Sequence, residues 1–349
     1  YFIDGVTLSR QHNQRDFQTN YISARSELSG SIKAAGFTHH LLIGADASKF
    51  DFDKVWYRYR PTLEDTSYAI NMYEPEYGKT APEGSLLFDT TEVQNSYGIY
   101  IQDQVDITEK WKMQIGGRYD WFDQRIDNHK NLTRSEADKS TFSPRAGLVY
   151  AHSEDLQFYS SYSEGFRPPV TNRVGGGLAK NQAGAFDGFR IPVYSTTDSL
   201  DNIEIGFKST LLDQSLRFNA TAYYSKISDL QTSRFDPTNI SFLVFTDNVG
   251  DAEIKGIDGD FSWVATDNLV ISGAFSFIDT ELTSVNDELV GIAPTVGSSL
   301  PYSAEFSGNL RAEYFYNINQ DLTGYVNGSV SYTGERLAGM TMDAYVTED

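Results

Sequence analysis

The sequence predicts an all-β chain folded as a transmembrane antiparallel β-barrel, and three observations predict it. Nearly every regular segment alternates apolar and polar residues with period two, which is the strand signature. The segments run about 10–15 residues, against ~5–6 in an average soluble strand and ~9–11 for a tilted membrane crossing. Connections are alternately short and long along the chain, as in membrane barrels. A two-sheet sandwich would also alternate in polarity. It has no reason to keep short and long connections in turn through six hairpins.

Taken in order, the short connections fall at 35–36, 108–110, 153–155, 212–214, 266–268 and 317–320. The long ones fall at 11–20, 51–93, 128–140, 165–199, 231–247 and 283–301. Between them the alternation is easy to follow. In 111–121, Trp111, Met113, Ile115, Gly117, Tyr119 and Trp121 oppose Lys112, Gln114, Gly116, Arg118 and Asp120. In 216–224 the outward set is Leu216, Phe218, Ala220, Ala222 and Tyr224. In 303–316 it is Ala304, Phe306, Gly308, Leu310, Ala312, Tyr314 and Tyr316, and in 321–333 Val326 and Val330 share a face with Tyr332. About thirteen strands result, with a partial one in 1–9. Open strand edges are not viable in hydrocarbon, so an odd count predicts that the chain is the interior of a longer barrel.

The opposite face carries Glu204, Lys208, Arg217, Asp258, Asp260, Glu305, Arg311 and Glu313. Charges in a closed dry barrel would be costly, so the lumen is expected to be wet or filled by a polar plug. Aromatics gather at both strand ends: Trp111, Trp263, Tyr314 and Tyr316 near the short turns, Tyr119, Trp121, Tyr224, Phe277 and Tyr332 near the long loops. Two such girdles mark the two membrane interfaces.

Composition excludes several functions. There are 28 Lys+Arg against 48 Asp+Glu, a formal net charge of −20, which argues against binding nucleic acid. Cysteine is absent, so there is no disulfide framework, thiolate zinc site or thiol nucleophile. No apolar run is long enough for a membrane helix. Asp46, Asp51 and Asp53 are a candidate Ca²⁺ group, but their spacing fits no standard loop and solvated acids are the simpler account. His39 and His40 point to opposite sides of one strand and cannot ligate together. Gly175, Gly176 and Gly177 are not followed by the Lys-Ser/Thr of a phosphate loop. No catalytic triad, metalloprotease or deaminase pattern occurs, so neither enzymatic chemistry nor a resident cofactor is expected.

Several segments together resemble the TonB-dependent outer-membrane receptors. These are 97–107 (YGIYIQDQVDI) with 111–120 (WKMQIGGRYD), then 143–150 (SPRAGLVY) with 158–169 (FYSSYSEGFRPP). They continue with 202–211 (NIEIGFKSTL), 216–231 (LRFNATAYYSKISDLQ) and 248–261 (NVGDAEIKGIDGDF), where Asp258 stands in place of the usual Glu. The resemblance implies a 22-stranded barrel in the bacterial outer membrane, of which residues 1–349 would supply about 13–14 strands as part of a single domain. It also implies a plug domain and a TonB-contacting box upstream and further strands downstream, none of them in this chain. The partners it implies are a small-molecule iron chelate, the energising TonB–ExbB–ExbD complex and outer-membrane lipid.

The ligand is sought in the longest connection, 51–93, which concentrates Trp56, Tyr57, Tyr59, Tyr68, Tyr73 and Tyr77 with Arg58 and Arg60. Its YEPEYG stretch resembles a loop of siderophore receptors. Rings stack on the arms of a ferric siderophore and guanidinium groups answer its negative charge. The same rings would equally serve to pack the loop on itself. Arg167, within the FRPP motif, completes the candidate set. Uptake of another scarce solute such as a glycan or cobalamin is the alternative, followed by a passive porin.

Overall fold

The computed structural model describes residues 4–62, 64–170, 178–180, 186–190, 195–235, 244–286 and 295–337, and among them the regular structure is entirely β. Gly175, Gly176 and Gly177 lie outside these residues. In chain order the strands are β1 (Thr7–Leu8), β2 (His12–Ala34), β3 (Phe37–Tyr59), β4 (Ile70–Asn71), β5 (Ser85–Asp106) and β6 (Trp111–Asn128). Next come β7 (Thr133–Ala151), β8 (Leu156–Arg167), β9 (Leu178–Lys180), β10 (Phe186–Arg190), β11 (Asp198–Leu211) and β12 (Leu216–Ser228). The last six are β13 (Gln231–Phe235), β14 (Val244–Asn248), β15 (Ala252–Thr266), β16 (Leu269–Leu282), β17 (Phe306–Asn317) and β18 (Thr323–Thr333).

Twelve of these make one antiparallel sheet in the order β2-β3-β5-β6-β7-β8-β11-β12-β15-β16-β17-β18. Every neighbour in the sheet is also the next long strand in the chain, so the wall is an up-and-down meander. The other six pair off as β9 with β10 and β13 with β14, each pair within one long connection, and β1, ahead of β2, with β4 in the connection after β3. The sequence-based count of about thirteen crossings is thus corrected to twelve among the described residues.

Six tight turns, at 35–36, 107–110, 152–155, 212–215, 267–268 and 318–322, lie at one end of the sheet. The first is a two-residue hairpin with Ala35 and Gly36 both at positive φ (50° and 87°), a geometry whose twist matches the flanking strands. The opposite end carries the connections 60–84, 129–132, 168–197, 229–251 and 283–305.

Three long connections expected from the sequence shrink. Residues 11–20 belong almost wholly to β2, 51–59 and 85–93 belong to β3 and β5, and 128–140 becomes the tight turn 129–132. The strands β2, β3 and β5 therefore reach 23, 23 and 22 residues. The cause is solvent. Beyond the bilayer both faces of a strand are wet, so the polarity alternation that marks a crossing is lost although the hydrogen-bonded ladder continues.

Register confirms the two faces. Phe306 sits opposite Phe277, Leu310 opposite Gly273 and Val330, and Tyr314 opposite Val326, so these residues share the outward face. Outward rings pack at both strand ends: Phe277 and Phe306 have centroids 4.7 Å apart at the loop end, while toward the tight turns Phe207 and Phe218 are 5.5 Å apart and Trp111 and Tyr150 4.6 Å. Arg311 lies opposite Ser272 and Ser329, and Asn327 opposite Glu313, on the lumenal face.

Candidate functional site

The outer half of β3 organises the candidate site. Strand alternation puts Lys54, Trp56 and Arg58 on the lumenal face and Tyr57 and Tyr59 on the other. The β2–β3 hairpin then sets Phe17 opposite Lys54, Arg15 opposite Trp56 and Asn13 opposite Arg58. Trp56 Nε1 donates to Asn13 Oδ1 at 3.0 Å, which fixes the indole. The Arg15 guanidinium lies 4.1 Å from the centre of the Trp56 ring and that of Arg58 5.4 Å. Lys54 Nζ, on a side chain only 7% exposed, sits 5.1–5.3 Å from the rings of Trp56, Phe17 and Phe88. Trp56 and Phe88 pack with centroids 5.7 Å apart.

Three cations thus share one aromatic platform. Arg15 and Arg60 are the neighbouring charges that Arg58 feels most strongly. Cation–π attraction offsets part of that mutual repulsion. Arg15, Lys54, Phe17 and Phe88 escaped the sequence reading. The signal was present, because residues 15 and 56 are mirror positions about the turn at 35–36.

The remaining candidates lie elsewhere. Tyr59 turns to the loop: its hydroxyl donates to Asp65 Oδ2 at 2.5 Å, and its ring meets Tyr68 edge-on at 6.2 Å. Arg10 closes this knot, with Nε donating to the Tyr68 carbonyl at 2.7 Å and its guanidinium 4.1 Å from the Tyr68 ring. Asp65, held by Ser67 and Tyr59, has its carboxyl lowered below the ordinary carboxylate range. Arg60 follows directly on β3, whereas Tyr73 and Tyr77 are 78% and 81% exposed in the loop. Tyr57 is on the outward face and 40% exposed. The structure therefore unites Trp56 and Arg58 with Arg15 and Lys54, and sets Tyr59 with Tyr68.

Arg167 ends β8 inside a different cluster. Its Nε and Nη2 both donate to Asp198 Oδ2, the former at 3.0 Å, and Nη2 also donates to the Gln231 carbonyl at 2.8 Å. Asn248 extends the cluster: Oδ1 accepts from the Thr196 amide at 2.7 Å while Nδ2 donates to the carbonyls of Asp229 and Thr196. These bonds tie the bases of the connections 168–197 and 229–251 together.

A second lumenal cluster lies lower on the same wall. Arg118 on β6 donates to both oxygens of Asp46 on β3 and through Nε to both oxygens of Asp120. Beside it, Arg25 Nε donates to Tyr100 Oη at 2.9 Å, and Tyr100 Oη donates to Glu27 Oε1 at 2.7 Å. Asp46 is hence the partner of Arg118 rather than a member of a cation site with Asp51 and Asp53. Among the described residues no three His, Asp or Glu side chains gather as metal ligands. His39 bonds to Asp103 and His40 to Asp106 on opposite faces, as the alternation requires.

The profile of the family described as TonB dependent receptor-like, beta-barrel matches residues 2–347. The chain belongs to that family. Its strands are those of a barrel in the bacterial outer membrane. Among similar proteins is the metal-pseudopaline receptor CntO of Pseudomonas aeruginosa, 28% identical over 99% of this chain and 46% of its own length. The ferrichrome outer membrane transporter/phage receptor of Escherichia coli is 24% identical over 80% of this chain and 35% of its own. The solved siderophore receptor PiuA of Acinetobacter baumannii superposes with a TM-score of 0.70 at 19% identity, over 93% of this chain and 47% of that one. The chain spans about half the length of the curated relatives it matches.

Proposed function

We propose that the receptor built on this barrel imports a ferric siderophore, drawing energy from a TonB–ExbB–ExbD complex through parts that these residues do not include. The cationic platform of Arg15, Lys54 and Arg58 around Trp56 carries the reading. On a chain of net charge −20, a local concentration of three cations has a purpose if the solute is an anion. The aromatic floor adds stacking area for the chelating arms. Relatives named as receptors for metal–pseudopaline, ferrichrome and ferrioxamine B support a metal chelate as the ligand class.

Binding titrations on the full-length receptor test this. Replacing Arg15 and Arg58 together by Ala is expected to weaken binding of an anionic ferric chelate by about 1–3 kcal/mol, the scale of lost charge-assisted hydrogen bonds. Binding of a neutral glycan or of cobalamin would stay unchanged. Unaltered chelate affinity with loss of glycan or cobalamin binding would move the assignment to that solute.

A further inference from the structure

Charge is sorted by face at the loop ends of five neighbouring strands: 13–23 of β2, 48–58 of β3, 88–96 of β5, 122–128 of β6 and 133–139 of β7. The lumenal face of these stretches carries four cations, Arg15, Lys54, Arg58 and Lys139, against one carboxylate, Glu92. Their outward face carries eight carboxylates against three cations. Each outward cation is paired: Lys49 with Asp51 at 3.1 Å, Arg125 with Asp127 at 3.1 Å and Arg134 with Asp127 at 2.6 Å. The lumenal Glu92 is 8% exposed and accepts from Gln94 and Gln124, both at 2.6 Å. By contrast, the side chains of Arg15 and Lys139 make no hydrogen bond or ion pair among the described residues.

We propose that the solute held here is a ferric chelate displaying carboxylate oxygens, an α-hydroxycarboxylate or aminopolycarboxylate complex, and that Arg15 reads those oxygens. The inference rests on the import reading above and narrows its ligand class. The Arg15 guanidinium lies over the face of Trp56, and Asn13 holds that indole in place. What remains to meet a solute is the N–H edge. A planar fork of N–H donors matches the two oxygens of a carboxylate, which a point charge such as Lys does not. Chelate chemistry decides among the candidate classes. A carboxylate bound to iron through one oxygen keeps the other facing outward as an acceptor. Hydroxamate and catecholate arms give both of their oxygens to the metal. A ferric tris-hydroxamate is moreover neutral, since its ligand charges balance the ion, and gains little from a cationic wall. A tris-catecholate is anionic but shows ring carbons at its periphery, so it would feel the charge of Arg15 without using the fork.

Equilibrium binding to the full-length receptor tests this with ferric citrate, ferric nitrilotriacetate, a ferric tris-catecholate and ferrioxamine B. One of the two carboxylate chelates is expected to bind at least about tenfold tighter than the catecholate and the hydroxamate. Arg15→Lys keeps the charge and removes the fork. It is expected to weaken the carboxylate chelate at least about tenfold and to change any catecholate binding less than about twofold. Arg134→Lys, on the outward face, is expected to leave every affinity within about twofold, which separates a loss at Arg15 from a general disturbance of the wall. Tighter binding of the catecholate or the hydroxamate would overturn the carboxylate class and leave ferric-chelate import standing. Equal affinity of wild type and Arg15→Lys for the carboxylate chelate would overturn the role of Arg15. Binding of cobalamin or a glycan, with no affinity for any ferric probe, would overturn the import reading itself and the carboxylate class with it.

Discussion

Arg118 and Asp46 meet across an intervening strand: Nη1 donates to Oδ2 at 2.6 Å and Nη2 to Oδ1 at 2.9 Å, although β5 lies between β6 and β3. The guanidinium passes over Gly98, where an added Cβ would collide with Arg118 Nη2. Substituting Gly98 by Val is therefore expected to separate the pair and destabilise the barrel by about 1–3 kcal/mol, through overpacking and a carboxylate left without its cation. Urea unfolding of the full-length receptor followed by gel heat-modifiability measures this. A midpoint equal to wild type would mean that the bridge contributes nothing.

The two faces of β17 should respond oppositely to charge. Leu310 is 46% exposed on the outward face, whereas Arg311 pairs with Glu313 on the lumenal one. Leu310→Arg is expected to cost ~2–4 kcal/mol if the residue lies near the bilayer midplane. Arg311→Leu removes a half-exposed ion pair and should cost under about 1 kcal/mol. Refolding yield into lipid vesicles reads both. A tolerated Leu310→Arg would refute the facing.

Trp56 is the floor of the cationic platform. Its replacement by Ala removes the ring shared by Arg15, Lys54 and Arg58, each contact being worth about 0.5–1 kcal/mol. Ferric-chelate affinity is expected to fall about tenfold, the equivalent of roughly two such contacts. Trp56→Phe should keep most of the affinity, because a ring face remains. Calorimetric titration distinguishes the two, and identical behaviour of both variants would show that the ring face is irrelevant.

The loop hook at Asp65 makes a pH prediction. Its carboxyl is lowered by hydrogen bonds from Ser67 and Tyr59. A carboxylate whose folded value lies below its unfolded one stabilises the hook above the unfolded value and loses that effect as pH falls through the folded value. Protease resistance of the connection 60–84 should thus be flat from neutral pH to about 5 and fall only below the ordinary carboxylate range near ~4. Asp65→Asn should lower resistance at neutral pH and abolish the acid transition. A transition near pH 6 would implicate a histidine instead.

Lipid made the barrel legible. Outward Phe306, Leu310 and Val330 alternate with lumenal Ser307, Arg311 and Ser331, and that contrast is visible in the sequence without a partner strand. Above the bilayer the contrast disappears. The stretch from Asp51 to Tyr59 reads as a loop, although Asp53 pairs with Gln18 and Thr91 in a ladder that continues past a register shift at Trp56–Tyr57. The site was half legible for the same reason. Trp56 and Arg58 stand out by residue type, but Arg15 enters only through register. The bond from Asp46 to Arg118 joins residues 72 positions apart, and no local pattern announces it. Arg167 shows the reverse case: a residue noticeable by type, whose guanidinium the fold uses to fasten loop bases.

The unequal strand lengths give the outer rim of the sheet a slope. β2, β3 and β5 reach 22–23 residues while β17 and β18 have 12 and 11. With ~3.3 Å per residue and a tilt near 45°, Trp56 stands on the order of 20 Å above the hydrocarbon. Within this sheet the side formed by β2, β3 and β5 therefore stands taller than the side formed by β17 and β18. Substitutions around Trp56 consequently act on a part of the ladder that lipid never touches, so that side chains there can change without disturbing the strands that hold the barrel in the bilayer.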